Sequence, residues 1–403
     1  MEKNNKIALT GGQAMTYALK QINPDVMPIY PITPQTPIIE TFAKFQAEHA
    51  VDTEIITVES EHSAISAAVG ASAAGARTVT ATSSQGLALM NEILYIASGM
   101  RLPILMAVSA RALSAPLNIH NDHSDVMGAR DTGWIQLFSE NVQEAYDNTL
   151  IGLKLAEVSG IPAMAIIDGF ITSHSIENLK TLPDKAVKKF VGEYQPEKFL
   201  LDTDNPVTFG TMALPPHYFD FKLDQDRAMR KAAKDYEKIT QEFFDLSGRP
   251  YGLYEAYQVE NAENVIILAG SAAGTAKDVV DKMRKEGKKF GLLKIKLFRP
   301  FPSPEIAAAL KAAKNIAVLD KAMSFGTYPP IYQEIVSALH QEPDLAKKDN
   351  ETYLIKKAKP KVQSYVYGLG GRDIFVKDIE KVFEDLIRGN ISSEIKYVGI
   401  KNS

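Results

Sequence analysis

Short runs of β-forming residues alternate with runs of helical periodicity through residues 1–170. Parallel strands need a crossover connection, which is usually a helix, so this alternation predicts parallel α/β architecture. The predicted strands are Val26–Tyr30, Glu54–Val58, Thr78–Thr82, Pro103–Val108 and Pro162–Ile167. Helices are predicted from Gln13 to Ile22, from Pro37, from Glu61, from Gln85 to Met100 and from Val142 to Val158, and Gly160 is expected to end the last of them.

A second α/β unit follows a looser segment. Between Ser175 and Pro250, prolines break the periodicity before a charged amphipathic stretch, Gln225–Phe244. Beyond it, strands are predicted at Val265–Leu268, Phe290–Leu297, Ile316–Leu319 and Val362–Val366, and helices at Thr275–Arg284, Pro304–Lys314 and Ile379–Ile387. We therefore expect one domain with a connecting arm and helix in residues 1–250, and a second domain in residues 251–403.

The composition restricts the chemistry of this chain. Of its 403 residues, 45% are hydrophobic, and 45 basic residues are balanced by 49 acidic ones. This balance creates no overall field toward nucleic acid or an anionic membrane, so we expect neither as a partner. No segment has the pattern of a secretion signal or a spanning helix, which favours a cytoplasmic protein. The chain has no cysteine, which excludes disulfides, thiolate nucleophiles and the usual iron–sulfur ligation on it.

Polar side chains follow four of the predicted strands. Thr33 comes after the first strand, Glu61 after the second, Ser84 and Gln85 after the third, and Arg111 after the fourth. Ligands of parallel α/β sheets bind outside the carboxyl ends of the strands. We therefore expect a hydroxyl, a carboxylate, an amide and a guanidinium to converge at one edge of the sheet.

Glu61 precedes a run of small residues, HSAISAAVGASAAGA, that permits close backbone packing. A carboxylate shielded from water in such a place holds a proton more readily. That property suits the ring nitrogen of an aminopyrimidine cofactor. The alternative is that Glu61 only complements the positive end of a helix.

Arg111 follows the apolar segment PILMAVSA and offers two parallel N–H donors to a carboxylate, such as that of a substrate. The sequence equally allows an internal ion pair with Asp122, Asp125 or Asp131. Thr33 precedes a proline, where threonine is commonly part of a turn.

Two other features carry weaker signals. The loop His120–Asp125 contains histidines and aspartates, but their spacing matches no standard zinc pattern, so a polar loop is favoured and no metal is expected on this chain. The glycine-rich segments Ala269–Gly274 and Tyr367–Asp373 match neither GxGxxG nor a Walker motif, which favours tight turns over anion sites.

A series of segments carries a family resemblance. They are YPITPQTP, VESEHSAISAAVGASAAGARTVTATSSQGLALMNE, LPILMAVSARALSAP, DHSDVMGARDTGW, DGFITSHS, LKIKLFRPFPS and VLDKAMSFG. In this order they resemble the 2-oxoacid:ferredoxin oxidoreductase family, specifically the alpha subunits of its four-subunit pyruvate:ferredoxin oxidoreductases. The resemblance covers nearly the whole chain. It implies a thiamine-pyrimidine-binding-like parallel sheet domain followed by a transketolase C-terminal-like α/β domain.

The resemblance also implies roles for the residues after the strands. Glu61 matches the glutamate that hydrogen-bonds the thiamine aminopyrimidine, and Gln85 lies in the matching Ser-Gln-Gly turn as a further cofactor-binding candidate. Thr33 and Arg111 match the threonine and arginine that contact pyruvate. The implied reaction is the reversible oxidative decarboxylation of pyruvate to acetyl-coenzyme A and CO₂, with reduction of ferredoxin.

Such a reaction requires partners. In the family a beta subunit supplies Mg²⁺, the pyrophosphate site of thiamine diphosphate and a [4Fe-4S] cluster, a delta subunit supplies further clusters, and a gamma subunit contributes to coenzyme A binding. This chain has no GDG-type motif and ends after the second domain, so we expect these parts on separate subunits. Thr33 adds no positive charge for a second carboxylate, which favours pyruvate. Alternatives are 2-oxoisovalerate or another 2-oxoacid such as 2-oxoglutarate and, more distantly, a transketolase-like transferase or a non-catalytic scaffold.

Overall fold

A computed structural model describes residues 5–341, 345–348, 351–354 and 359–400. The chain divides into two compact units. The first comprises Met1–Leu253 with Lys296–Pro300, and the second comprises Tyr254–Ile295 with Phe301–Ser403. Among the described residues, no helix combines the length and apolar character that crossing a membrane requires.

Both units alternate strands with helices. The strands are β1 (Asn5–Thr10), β2 (Val26–Ile29), β3 (Glu54–Thr57), β4 (Val79–Thr82), β5 (Leu105–Ala110), β6 (Ile135–Phe138), β7 (Ala163–Asp168), β8 (Ile176–Thr181), β9 (Tyr254–Tyr257), β10 (Asn264–Ala269), β11 (Phe290–Ile295), β12 (Leu297–Arg299), β13 (Asn315–Asp320), β14 (Leu345–Lys348), β15 (Glu351–Leu354), β16 (Lys361–Val366) and β17 (Lys396–Tyr397).

The helices follow the same alternation. They are α1 (Gly11–Ile22), α2 (Thr36–Ala47), α3 (Glu61–Ala73), α4 (Ser84–Leu89), α5 (Asn91–Gly99), α6 (Ser124–Gly128), α7 (Val142–Ser159), α8 (Ile171–His174), α9 (Asp184–Val191), α10 (His217–Ser247), α11 (Ala272–Lys285), α12 (Ser303–Ala309), α13 (Pro330–Gln341) and α14 (Val376–Ile387), with a 3-10 turn at Leu369–Gly371.

The sheet of the first unit brings the ends of several strands together. Its strand order is β12-β6-β7-β5-β4, and all its neighbouring pairs are parallel except β12 with β6. β2 and β3 form a separate parallel pair. An isolated parallel bridge from Val26 to Thr78 connects that pair to the segment entering β4. The residues that follow β2, β3, β4 and β5 therefore share one edge.

Local sequence signals define several helix ends in this unit. Thr10 and Gln13 form a capping box that begins α1. Ser60 caps α3 through a hydrogen bond from Ser63 N. Asn141 caps α7, which ends at Gly160 with a φ of 60°. Because β5 and β7 are buried along their whole length, the helices cover both faces of the sheet at its centre.

The second unit has the strand order β17-β16-β13-β10-β11-β9, in which only β9 is antiparallel to its neighbour among the described residues. Its core includes one face each of α11 and α14. The rings of Phe290 and Phe383 lie with centroids 4.2 Å apart in that core. The predicted α/β class is therefore confirmed for both units. The glycine-rich segments form turns with positive φ at Gly270, Gly368, Gly370 and Gly371.

Three predicted elements are wrong in their extent. The predicted helix Pro304–Lys314 ends at Ala309, where α12 stops. The predicted strand Phe290–Leu297 is two strands, because β11 ends at Ile295 and β12 pairs with β6 in the first unit. The residues around the break, KIKLF, include no turn residue that would reveal it. The predicted helix Gln85–Met100 is likewise interrupted at Met90, between α4 and α5. Neither break has a glycine or proline to signal it. Only tertiary packing therefore separates β11 from β12 and α4 from α5.

Candidate active site

Thr33 and Arg111 meet at the edge of the first sheet. Thr33 lies in the turn between β2 and α2, and Arg111 is the first residue after β5. Arg111 Nη1 donates a hydrogen bond to the backbone oxygen of Thr33 at 2.8 Å. Thr33 is exposed, whereas Arg111 is only 6% exposed. The threonine side chain therefore remains open to a ligand while its backbone is held by the arginine.

The turn that contains Thr33 is anchored independently. The buried side chain of Gln35 donates to the carbonyl oxygen of Ala81 on β4 at 3.0 Å and accepts from Ile32 N. Gly169 lies so close to the turn that a Cβ on it would stand 2.8 Å from Pro34 Cγ. Both contacts hold the turn against the ends of the central strands.

The guanidinium of Arg111 is held by carbonyl groups. Its Nε donates to Asn118 O at 2.9 Å, in addition to the bond from Nη1 to Thr33 O. Burial lowers the pKa of Arg111, and the negative charge of Asp125 partly opposes this effect. Among the described residues, Arg111 forms no ion pair with an acidic side chain, and its Nη2 has no hydrogen-bond partner. The predicted alternative of a direct ion pair is therefore not formed within the described residues, although the charge of Asp125 acts on the guanidinium, and N–H donors remain for a ligand carboxylate.

Glu61 begins α3, where it is only 8% exposed. Its position in the first turn lets the carboxylate complement the helix dipole, as one of the two interpretations predicted. Within the described part of the chain, however, the carboxylate has no hydrogen-bond or ion-pair partner. A nearly buried carboxylate without a protein partner is costly, and a bound polar group would offset that cost.

Glu61 lies against the start of α4. A Cβ added to Gly86 would stand 2.8 Å from Glu61 Oε1 and 2.5 Å from Thr82 Oγ1. Thr82 Oγ1 is buried and has no hydrogen-bond partner among the described atoms. This carboxylate, the unsatisfied hydroxyl and the bare backbone of Gly86 fit an aminopyrimidine, which offers a ring nitrogen and an amino group.

Gln85 lies beside them in the first turn of α4. Its side-chain oxygen accepts from Ser84 Oγ at 2.6 Å, and Ser84 Oγ also lies 2.5 Å from Ala112 O. Ser84 has a φ of 50°, which is uncommon for a residue with a side chain. The turn that carries Gln85 is thus bound to the segment just after Arg111.

A buried carboxylate connects the two halves of this site. Asp125 Oδ2 accepts from Ser84 N at 2.8 Å and from Arg111 N at 3.0 Å, and Oδ1 accepts from Val126 N at 2.7 Å. Burial raises the pKa of Asp125 to about 7, and the three N–H donors partly oppose this rise. The sequence named Asp125 as a possible ion-pair partner of Arg111 and as part of a polar loop, and assigned it no role in holding the site.

The remaining residues of the loop His120–Asp125 make separate contacts. His123 is 1% exposed, and its Nε2 lies 2.8 Å from Asp168 Oδ1. Asn121 donates to Ala110 O, and Asp122 Oδ1 accepts from Ser124 N and Oγ. His120 instead contacts the ring of Phe170. Across the described residues, these side chains do not form a cluster with metal-ligand spacing.

Sequence reasoning missed Thr82, Gly86 and Asp125 as parts of this site. Gly86 carried one available signal, because the glycine follows the Ser-Gln pair directly after a buried strand. Thr82 and Asp125 carried none, since both are ordinary residues for a strand end and a polar loop.

Comparison with protein families identifies both parts of the chain. Residues 17–241 match the family described as "Pyruvate flavodoxin/ferredoxin oxidoreductase, thiamine diP-bdg". Residues 262–379 match the family described as "Pyruvate:ferredoxin oxidoreductase core domain II". The first match includes every residue of the site described above.

Individual relatives agree with these matches. The pyruvate synthase subunit PorA of Thermotoga maritima is 51% identical over 399 residues, which cover 98% of each chain. The ketoisovalerate oxidoreductase subunit VorA of Pyrococcus horikoshii is 39% identical over 401 residues, again 98% of each chain. A solved 2-oxoglutarate:ferredoxin oxidoreductase from Magnetococcus marinus has the same fold, with a TM-score of 0.73, 20% identity and coverage of 96% of this chain and 66% of that one.

Proposed function

The chain belongs to the pyruvate flavodoxin/ferredoxin oxidoreductase family, and we propose that it binds the thiamine pyrimidine and the 2-oxoacid in a pyruvate:ferredoxin oxidoreductase complex. The reaction is the oxidation of pyruvate with coenzyme A to acetyl-coenzyme A and CO₂, coupled to reduction of ferredoxin, or its reverse. The observation that carries this proposal is the convergence of Arg111, Thr33 and Glu61 at one sheet edge, where the guanidinium and the carboxylate have polar atoms without a partner among the described residues.

Glu61 provides the contact to the cofactor. Thiamine diphosphate, when bound, supplies a nucleophilic carbon and an electron sink for decarboxylation of a 2-oxoacid. Glu61 would hold a proton at the pyrimidine ring nitrogen, and Thr82 Oγ1 offers a second polar contact. Gly86 keeps space beside the carboxylate, because any Cβ there would displace Glu61. Gln85 remains a further candidate for cofactor binding.

Arg111 and Thr33 bind the substrate in this proposal. The Nη2 donors of Arg111 fit the carboxylate that all 2-oxoacids share, and burial strengthens such a charge-assisted bond. The backbone oxygen of Thr33 accepts from that guanidinium, and the exposed side chain of Thr33 can contact the rest of the substrate. These residues orient the substrate, which lowers the entropic cost of reaction.

Pyruvate is the substrate we propose. The PorA relative of Thermotoga maritima, at 51% identity, is a pyruvate synthase subunit, whereas the VorA relative, at 39%, belongs to a ketoisovalerate oxidoreductase. A second anionic group, as in 2-oxoglutarate, would require a further cation, and Thr33 supplies none. The 2-oxoisovalerate alternative differs from pyruvate only in apolar groups, so it needs a direct test.

The proposed complex distributes the reaction among several chains. Since this chain has no cysteine, we propose that [4Fe-4S] clusters lie on partner subunits. We assign Mg²⁺ and the pyrophosphate of the cofactor to a beta subunit, coenzyme A contacts to a gamma subunit and electron delivery to ferredoxin to a delta subunit. The cytoplasmic location and the functional division between residues 1–250 and 251–403 stay predictions.

The test is reduction of ferredoxin by the native complex, purified without oxygen and supplied with coenzyme A and one 2-oxoacid. We expect kcat/KM for pyruvate to exceed that for 2-oxoisovalerate and 2-oxoglutarate by about tenfold or more. A preference for another 2-oxoacid would change the substrate and keep the reaction class. No activity with any of the three, in a complex that contains thiamine and clusters, would favour the scaffold or transferase alternatives.

A further inference from the structure

Asp125 accepts hydrogen bonds from three backbone N–H groups in three segments of the first unit. The two bonds to Oδ2 come from Ser84, at the start of α4, and from Arg111, at the end of β5. The bond to Oδ1 comes from Val126 in its own helix. The side chain is 3% exposed, so water cannot replace these acceptors easily.

Each of the two bonds to Oδ2 leads to a different side of the site. Arg111 N belongs to the residue whose guanidinium contacts Thr33 O, on the proposed 2-oxoacid side. Ser84 N belongs to the turn that places Gly86 against Glu61, on the proposed cofactor side. One oxygen of Asp125 therefore holds the backbone of Arg111, on the 2-oxoacid side, next to the backbone of Ser84, on the cofactor side.

The backbone conformation at Ser84 depends on the hydrogen bond that its N–H donates to Asp125. Its φ of 50° places a residue with a side chain in the left-handed region, which is maintained only when neighbouring contacts determine it. Ser84 Oγ adds contacts to Gln85 and to Ala112 O, but Asp125 is the only described residue that accepts a hydrogen bond from Ser84 N. A carboxylate also binds N–H groups more strongly than a neutral acceptor does.

We propose that Asp125 is a positioning residue that couples 2-oxoacid binding to cofactor binding by holding Arg111 and the Ser84 turn with one oxygen atom. It acts through the backbone of these residues and touches neither ligand itself. The inference rests on the proposed function of Arg111 and Glu61.

The test is Asp125→Asn in the complete complex. The amide keeps the size of the side chain but removes the negative charge, so the bonds from Ser84 N and Arg111 N weaken, and its single acceptor oxygen cannot accept all three hydrogen bonds. We expect KM for pyruvate and the dissociation constant of thiamine diphosphate, measured by binding to the cofactor-depleted complex, to rise together by about fivefold or more. Hydrogen exchange should increase in the peptides that contain Ser84 and Arg111, independently of activity.

A matched control is Asp320→Asn in the second unit. Asp320 is also fully buried and accepts from the backbone N–H groups of Ile331 and Tyr332. We expect it to lower the melting temperature without raising either KM or the cofactor dissociation constant. If Asp320→Asn changes both constants as Asp125→Asn does, general destabilisation explains the effect and the positioning role is rejected.

A double variant separates the two sides. In an Arg111→Lys background, Asp125→Asn should add little to KM for pyruvate, because it acts through Arg111, but should still weaken thiamine diphosphate binding. Fully additive effects on KM would overturn the proposal. If the complex that contains Asp125→Asn does not assemble, the same measurements of KM and cofactor affinity are made on Asp125→Glu. This variant keeps the charge but displaces the carboxylate.

The outcomes separate this inference from the proposed function. If the unmodified complex oxidises no 2-oxoacid, the proposed function fails. If the unmodified complex is active while Asp125→Asn leaves KM, cofactor affinity and hydrogen exchange unchanged, only the positioning role fails.

Discussion

Arg111 Nη1 donates to the backbone oxygen of Thr33 at 2.8 Å, although the two residues are 78 positions apart in the sequence. The bond orients a buried guanidinium without neutralising it, because a carbonyl oxygen carries no net charge. Nη2 has no partner within the described part of the chain, and Thr33, whose backbone oxygen accepts from Nη1, has an exposed side chain. The structure thus supports a carboxylate-binding role for Arg111 more strongly than the sequence does.

Arg111→Ala should raise KM for pyruvate by about 10- to 100-fold, which corresponds to loss of one charge-assisted hydrogen bond. Arg111→Lys should show a smaller rise, since it keeps the charge but not the planar donors. The measurement is steady-state ferredoxin reduction by the complex. Arg130→Ala is the control, because Arg130 pairs with the exposed Asp131, and it should leave KM unchanged. An unaltered KM in Arg111→Ala would contradict carboxylate binding there.

Glu61→Gln should keep the fold and lower kcat by about 100-fold or more, because an amide cannot hold the shared proton. Ferredoxin reduction and the melting temperature of the complex measure the two effects separately. The control is Glu59→Gln, which changes an exposed carboxylate two positions earlier and should leave kcat unchanged. Near-normal turnover in Glu61→Gln would exclude the role assigned to this residue.

Gly86→Ala should weaken thiamine diphosphate binding by about tenfold or more, because the new Cβ would displace the Glu61 side chain. Cofactor titration of the depleted complex measures this effect. Gly70→Ala is the matched control, since Gly70 lies in the same helix as Glu61 and has no atom within 4 Å of an added Cβ. Equal cofactor affinity in both variants would show that the contact between Gly86 and Glu61 is irrelevant to binding.

The stability of the complex should depend on pH through Asp125. Its pKa is raised to about 7 from an ordinary value of 3.8, mainly by burial, while Asp122 adds to the rise and the N–H of Arg111 opposes it. Between these two pH values the folded state binds more protons than the unfolded state. The stabilising contribution of Asp125 to the free energy of unfolding is therefore complete below about pH 4 and is lost as the pH rises through about 7.

Thermal unfolding at about pH 5 and about pH 8 measures this dependence. Asp125→Asn removes the titrating group, so its melting temperature should fall less than that of the unmodified complex over the same interval. The same fall in both proteins would show that other groups determine the pH dependence.

The sequence by itself determined the α/β class, most strand and helix positions and the residue types at the strand ends. These follow from hydrophobic periodicity and from caps such as Thr10 and Gly160, which are local properties of the chain. Motif order also indicated the family, which the comparisons confirmed. The roles of Glu61, Thr33, Gln85 and Arg111 remain predictions for the experiments above.

Only the tertiary structure decided how these residues are held. Among the described residues it gave the Arg111 guanidinium no acidic side chain at ion-pair distance, separated β12 from β11 and placed Asp125 between Ser84 and Arg111. The physical reason is that these contacts use backbone N–H and carbonyl groups, which nearly every residue carries. Side-chain identity therefore cannot reveal which of them will meet, because the fold alone brings distant backbone segments together.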